Sequence, residues 1–98
     1  MDITCETHPP KCRVTVAGEL DLATSARLRT ALADVIDAGH IVVELDLDGV
    51  TFIDSSGLHV LTWAHAQTRR IGGRLTLDRP SRSVTRLLRI TQTEALLS

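Results

Sequence analysis

The plainest pattern in the chain lies at residues 41–47. There Ile41, Val43, Leu45 and Leu47 alternate with Val42, Glu44 and Asp46. Alternation with one polar side predicts a strand covered by other elements on one face only. Cys12, Val14 and Val16 alternate in the same way with Arg13, Thr15 and Ala17, which predicts a second half-buried strand over 11–17. Residues 2–6 read as a weaker strand ahead of a turn at His8-Pro9-Pro10. A short strand follows later, where Leu75 and Leu77 alternate with Arg74, Thr76 and Asp78.

Between these segments the apolar spacing lengthens to that of a helix. Leu28, Ala31, Leu32, Val35 and Ile36 form one stripe over 23–38, with Arg27, Arg29 and Asp34 outside it and Gly39 as a stop. Leu58, Leu61 and Ala64, with Val60 and Trp63 beside them, predict a helix over 57–70 that ends at Gly72-Gly73. Val84, Leu87, Leu88 and Thr91 continue the spacing after Pro80-Ser81. Gly18-Glu19-Leu20-Asp21 breaks the alternation, and Asp48-Gly49 reads as a turn. The order is β-β-α-β-α-β-α. Strands separated by helices imply parallel pairing through right-handed crossovers, and the opening hairpin adds an antiparallel edge. The expected fold is therefore α/β: a small mixed sheet of four or five strands with its helices mainly on one face. At 98 residues the chain makes one domain, 1–98.

One stretch carries more than periodicity. Val50-Thr51-Phe52-Ile53-Asp54-Ser55-Ser56-Gly57-Leu58 runs from an extended apolar segment through an acid and two hydroxyls into a helix. Ser is a favoured N-cap, because its oxygen accepts from an otherwise orphaned backbone N–H. The same end of a helix also favours negative charge. Two readings follow: a plain serine cap, or a hydroxyl on which the fold tolerates a phosphate that a partner then reads.

Composition narrows the alternatives. Phe52 and Trp63 are the only aromatics, too few for nucleic-acid binding through stacked bases. The arginines are spread over several elements, which argues against a DNA-reading helix. No apolar run approaches the roughly 20 residues of a membrane span, and MDITCE has neither the basic nor the apolar region of a signal peptide. A soluble, cytoplasmic protein is expected. Cys5 and Cys12 are too few for a disulfide scaffold. They flank the Pro-Pro turn and could lie opposite each other in a hairpin; they read as two ordinary half-buried thiols, with a redox switch as the alternative. The net charge of −1 conceals a division. Residues 1–49 hold nine acids and four bases, residues 50–98 seven bases and three acids. This describes either two solvated faces or a polarised surface that steers a charged protein partner.

Catalytic chemistry finds little support. Asp54-Ser55-Ser56-Gly57 is not the Gly-x-Ser-x-Gly elbow of hydrolases. His59 is four residues after Ser55, but no third group stands behind it. His59 and His65 are not at the i, i+4 spacing of a helical zinc pair, and no Gly-Lys-Ser/Thr follows Gly49 or Gly57. No catalytic residue, cofactor or metal ligand is assigned. The serines read as a substrate rather than a catalyst.

Two segments also carry a family resemblance. Gly18-Glu19-Leu20-Asp21-Leu22-Ala23-Thr24 with Leu28-Arg29 resembles the first signature of the STAS domain family of bacterial anti-sigma factor antagonists. Ile41–Leu58, ending in Phe52-Ile53-Asp54-Ser55-Ser56-Gly57-Leu58, resembles the second. Gly72-Gly73, the strand after it and Val84-Leu87-Leu88 match the later part, so the resemblance spans nearly the whole chain. It implies that Ser55 is the modified serine, with Ser56 as capping or positioning neighbour and runner-up. It implies a partner surface of Glu19, Asp21, Thr24, Asp54, Ser55, Ser56, Gly57 and Leu58. The implied partner is an anti-sigma factor that is also an ATP-dependent serine kinase; ATP and magnesium belong to that kinase. Binding it frees the sigma factor, phosphorylation releases it, and a separate phosphatase resets the switch. A monomer or weak dimer is expected. The alternative is a STAS scaffold or small-ligand module that is never phosphorylated. Two departures stand out: His59 where members often have Gly, and Thr91-Gln92-Thr93 in place of Thr-Gly-Leu.

Overall fold

The computed structural model describes residues 1–93. Its elements are β1 (Asp2–His8), β2 (Lys11–Leu20), α1 (Leu22–Asp37), β3 (Val42–Ile53), α2 (Ser55–Arg70), β4 (Arg74–Asp78) and α3 (Arg82–Ile90). Four strands form one sheet in the order β1-β2-β3-β4. β1 lies antiparallel to β2, while β2–β3 and β3–β4 are parallel. The expected mixed sheet and element order are both present.

The alternating residues of the strands divide as their polarity dictates. Cys12, Val14, Val16, Val43, Leu45, Leu75 and Leu77 are buried in one cluster with Leu28, Leu32, Leu58, Leu61, Val84 and Leu88 of the helices. Burial of this apolar surface, at roughly 25 cal/mol per Å², drives the docking of the helices. Across the α1–α2 seam the Arg29 guanidinium stacks 4.3 Å over the Trp63 ring.

The other side of the strands carries charge. Arg13 lies 2.9 Å from Asp46, 2.7 Å from Asp78 and 3.5 Å from Glu44. Arg79 reaches the same Asp46 oxygen at 2.9 Å. Asp46 is buried under these two arginines. Burial by itself would raise its pKa, but the bonds from Arg79, the Asp48 N–H and Arg13 outweigh it and hold the carboxyl below its ordinary range.

Two segments differ from the sequence expectation, for one physical reason. Gly18-Glu19-Leu20 was expected to break β2, and Asp48-Gly49 to turn the chain after residue 47. Instead both strands continue, to Leu20 and Ile53. The extra residues are absorbed as bulges: Thr15 pairs with Asp46 but Ala17 with Gly49, and Gly18 with Val50 but Glu19 with Phe52. Asp46 Oδ1 accepts the Asp48 N–H at 3.1 Å inside the first bulge. A Cβ on Gly49 would stand 2.9 Å from that of Ala17, so a glycine there ends no strand but permits a close approach.

The cysteines are a further correction. Cys5 pairs with Val14 and Cys12 with Thr7, so the thiols are not opposite. Cys5 is exposed and Cys12 buried. Burial, with Cys5 as a lesser influence, pushes the Cys12 thiol pKa up, away from the reactive thiolate. At the end of the described chain, Gln92 takes a left-handed φ of 57° and the Thr93 N–H bonds back to Leu88 O at 2.8 Å. That is the position of the glycine in Thr-Gly-Leu, so the departure keeps the helix stop while placing a residue with a Cβ in a conformation that favours glycine.

Candidate functional site

The bulges deliver the ends of β2 and β3 side by side. Glu19 pairs with Phe52 and Leu20 with Ile53, and the Asp54 N–H donates to Leu20 O at 3.2 Å. Each strand then passes into a helix through one aspartate. The starts of α1 and α2 thus share one end of the molecule.

At α1 the N-cap is Asp21. Its Oδ1 accepts the Thr24 N–H at 3.0 Å, and Thr24 Oγ1 accepts the Asp21 N–H at 2.9 Å. Thr24 Oγ1 also donates to Glu19 O at 2.6 Å. This is a reciprocal capping box. The bonds from the Thr24 backbone and side chain hold the Asp21 carboxyl below its usual pKa.

At α2 the N-cap is Asp54, and neither serine caps the helix. Asp54 Oδ1 accepts from the N–H groups of Ser56 at 2.9 Å and Gly57 at 3.3 Å. A helix over 57–70 capped by serine is therefore corrected: α2 begins two residues earlier, with Ser55 and Ser56 as its first two residues. Asp54 prevails because its carboxylate meets two orphan donors at once and complements the helix dipole. Ser55 is exposed and Ser56 half-buried. Their hydroxyls stand at a positive helix end without being needed to close it.

The structure separates the remaining predicted residues by exposure. Glu19 is exposed, and Asp21, Thr24 and Asp54 are half-buried. Gly57 and Leu58 are buried. A Cβ on Gly57 would stand 2.8 Å from Ile53 Cγ1 and 3.1 Å from Leu20 Cβ, so this glycine lets α2 settle onto the ends of the strands. His59 is exposed, and among the described residues no hydrogen bond joins it to either serine. Nor, among those residues, does any group of three His, Cys, Asp or Glu side chains come close enough to hold a metal ion.

Two exposed apolar side chains at this end lie outside the partner surface that the resemblance implies: Leu22, 76% exposed, directly after the Asp21 cap, and Phe52, 48% exposed, two residues before Asp54. Leu22 was readable as the apolar residue next to a cap. Phe52 was not, because the bulge that turns it outward leaves no mark in the periodicity.

The structure is thus a small mixed sheet with three helices and two aspartate-capped helix starts at one tip. The STAS domain model matches residues 2–97, and the chain belongs to that family. The anti-sigma-F factor antagonist RsfB of Mycobacterium tuberculosis is 32% identical over 70 residues, 71% of this chain and 55% of that protein. The anti-sigma-B factor antagonist of Bacillus subtilis is 32% identical over 79 residues, 81% of this chain and 72% of its own length. The chain thus spans about half of the Mycobacterium relative and most of the Bacillus one. Among solved structures, the anti-sigma factor antagonist SpoIIAA in its unphosphorylated form superposes with a TM-score of 0.85 at 19% identity, covering 99% of this chain and 86% of that one. Its phosphorylated form, from Bacillus, gives 0.80 at 18% identity, with coverage of 99% and 89%. At these identities the superpositions establish the fold.

Proposed function

We propose that this chain is an anti-sigma factor antagonist, switched off by phosphorylation of Ser55. The observation that carries the reading is the uncommitted, exposed Ser55 hydroxyl at the first turn of α2, with Asp54 already doing the capping. The names of its relatives as antagonists, and the existence of a phosphorylated form of SpoIIAA, support it.

The unmodified tip, with Glu19, Asp54, Ser55 and Ser56 on its surface, docks an anti-sigma factor that is itself a serine kinase. Gly57 and Leu58 shape that tip from beneath. In the transfer step Ser55 Oγ forms a bond to the γ-phosphorus of the kinase's ATP. The bond to ADP breaks, and a base on the kinase takes the hydroxyl proton. The product carries about −1.5 to −2 additional charges at pH 7. The fold tolerates them, because a helix N-terminus favours a nearby anion by about 0.3–1 kcal/mol. The partner does not: the phosphate stands beside the Asp54 carboxylate, and docking must desolvate both. Each 1.4 kcal/mol of penalty weakens binding tenfold. A phosphatase restores the binding form. The chain acts by binding, without chemistry of its own, in the cytoplasm. Among the described residues no helix is long and apolar enough to cross a membrane.

The test is incubation with the kinase-type anti-sigma factor encoded in the same genome and ATP, followed by intact mass and peptide mapping. One added phosphate on Ser55 is expected. Ser55→Ala keeps binding and Ser55→Glu weakens it by tenfold or more. Full binding by the Ser55→Glu protein, or no phosphate on the tip serines, would favour a STAS scaffold or small-ligand module instead.

A further inference from the structure

The arginines of the second half of the chain are not equally engaged. Arg79 is tied to Asp46, and Arg70 bonds to the Gln67 side chain at 3.3 Å. Arg82, Arg86 and Arg89 make no ion pair among the described residues, and all three are exposed. At i, i+4 and i+7 they form one stripe along α3. Two adjoining depressions border that stripe. One, of about 690 Å³, is walled by the three arginines and Ile90. The other, of about 240 Å³, is lined by Phe52, Leu87 and Ile90 and shares Arg86 and Ile90 with the first. Ile90, which lines both depressions, is 68% exposed. Ser83 Oγ donates to Thr51 O at 3.0 Å, which fixes this face of α3 against the end of β3. Phe52 lies three residues before Ser55, so the groove opens beside the proposed docking tip.

We propose that this groove is a second docking surface, which takes an acidic segment of the same protein partner with an apolar anchor side chain. The occupant follows from charge and shape. Three guanidinium groups in one row, without an ion pair among the described residues, call for carboxylates, which they can grip bidentately. The apolar slot between Phe52, Leu87 and Ile90 accepts one aliphatic or aromatic side chain as a central anchor. The inference rests on the reading of the chain as an antagonist, but it places the capture of the partner on α3 and the switch on α2. The row of arginines steers and holds the partner; the Ser55 phosphate expels it from the neighbouring tip. Kinase engagement and release then depend on different residues.

The experiment is a titration of the full chain with the anti-sigma factor of the same genome at 50 and 200 mM salt, with thermal melting as a folding control. Arg86→Glu is expected to weaken binding tenfold or more and to flatten its salt dependence, since charge at an interface acts through steering and counter-ions. Arg89→Glu acts in the same direction and serves if Arg86→Glu melts early. Ile90→Ser weakens binding about fivefold with the salt dependence unchanged, and Arg69→Glu, on α2, leaves binding as it was. Wild-type affinity and salt dependence in both the Arg86→Glu and Ile90→Ser proteins, with Ser55→Glu still defective, would overturn the second surface and leave the antagonist reading intact. No binding by the wild type would overturn the antagonist reading itself, and this inference with it. Binding to phosphatidylglycerol vesicles that Arg86→Glu abolishes, or self-association that Ile90→Ser abolishes, would reassign the groove to a membrane or to a second copy.

Discussion

The starts of α1 and α2 are built from one plan and finished differently. Both follow a parallel strand, and both are capped by an aspartate in extended backbone, at φ −104° and ψ −170° for Asp21 and φ −113° and ψ −171° for Asp54. In α1 the third helical residue is Thr24, which returns a bond to its cap and closes the box. In α2 the equivalent residue is Gly57, which has no side chain to return. The α1 start uses its polar groups on itself. The α2 start leaves two hydroxyls outside its capping bonds. The difference teaches that the same aspartate cap can be closed by a reciprocal side chain in one helix and left without one in its neighbour.

The harshest way to break this difference is to close the second box. Gly57→Thr gives α2 the side chain that α1 has, but the added Cβ meets Ile53 and Leu20. Overpacking of this kind costs about 1–3 kcal/mol. A lower melting temperature is expected despite the new capping bond. An unchanged or higher one would show that the strand ends yield and that the glycine is there for another reason.

Removing the caps is the next step down. Asp54→Ala deprives two N–H groups of their acceptor and should lower stability by about 1 kcal/mol. Asp21→Ala removes the acceptor of the Thr24 N–H and Oγ1 while the backbone N–H of residue 21 still donates to Thr24 Oγ1, so half of the box is lost and a drop in melting temperature is expected there too. The Asp21 cap also has a pH signature. The folded-state pKa of Asp21 is depressed, so its contribution is complete above the unfolded carboxylate value of about 3.9 and is lost as pH falls below it. Denaturant unfolding between pH 5 and 2.5 should show a shallower acid slope for Asp21→Asn than for the wild type. Identical slopes would remove the box as the cause.

These helix starts also mark how far the sequence could be read. The strand cores and helix stripes were legible, because burial on one face imposes a period on Val43-Leu45 and on Leu28-Leu32-Val35. The tip was legible as a place, from Asp54-Ser55-Ser56-Gly57 and Glu19-Leu20-Asp21. Its internal division of labour was not. Asp and Ser are about equally good N-caps, so choosing between Asp54 and Ser55 requires knowing which residue sits in extended backbone. That depends on the bulges in β3, which are set by pairing with β2 and leave no period of their own. The same slips placed Phe52 outside and Val50 and Ile53 inside. Charge was readable as a count, but the burial of Asp46 beneath Arg13 and Arg79 arises only when three strands are brought into register.

The smallest expected effect is the most discriminating. Were Ser55 the cap, Ser55→Ala would cost about 1 kcal/mol, as such replacements do. With Asp54 in that role and Ser55 exposed, the substitution should change stability by no more than about 0.5 kcal/mol, the range of ordinary surface positions. Chemical denaturation resolves the two values. A cost near 1 kcal/mol would return Ser55 to a structural role and close the second helix start as Thr24 closes the first. A neutral result leaves the hydroxyl with no work inside the fold, so that any loss of regulation in the Ser55→Ala protein must come from the chemistry performed on it rather than from a weakened helix.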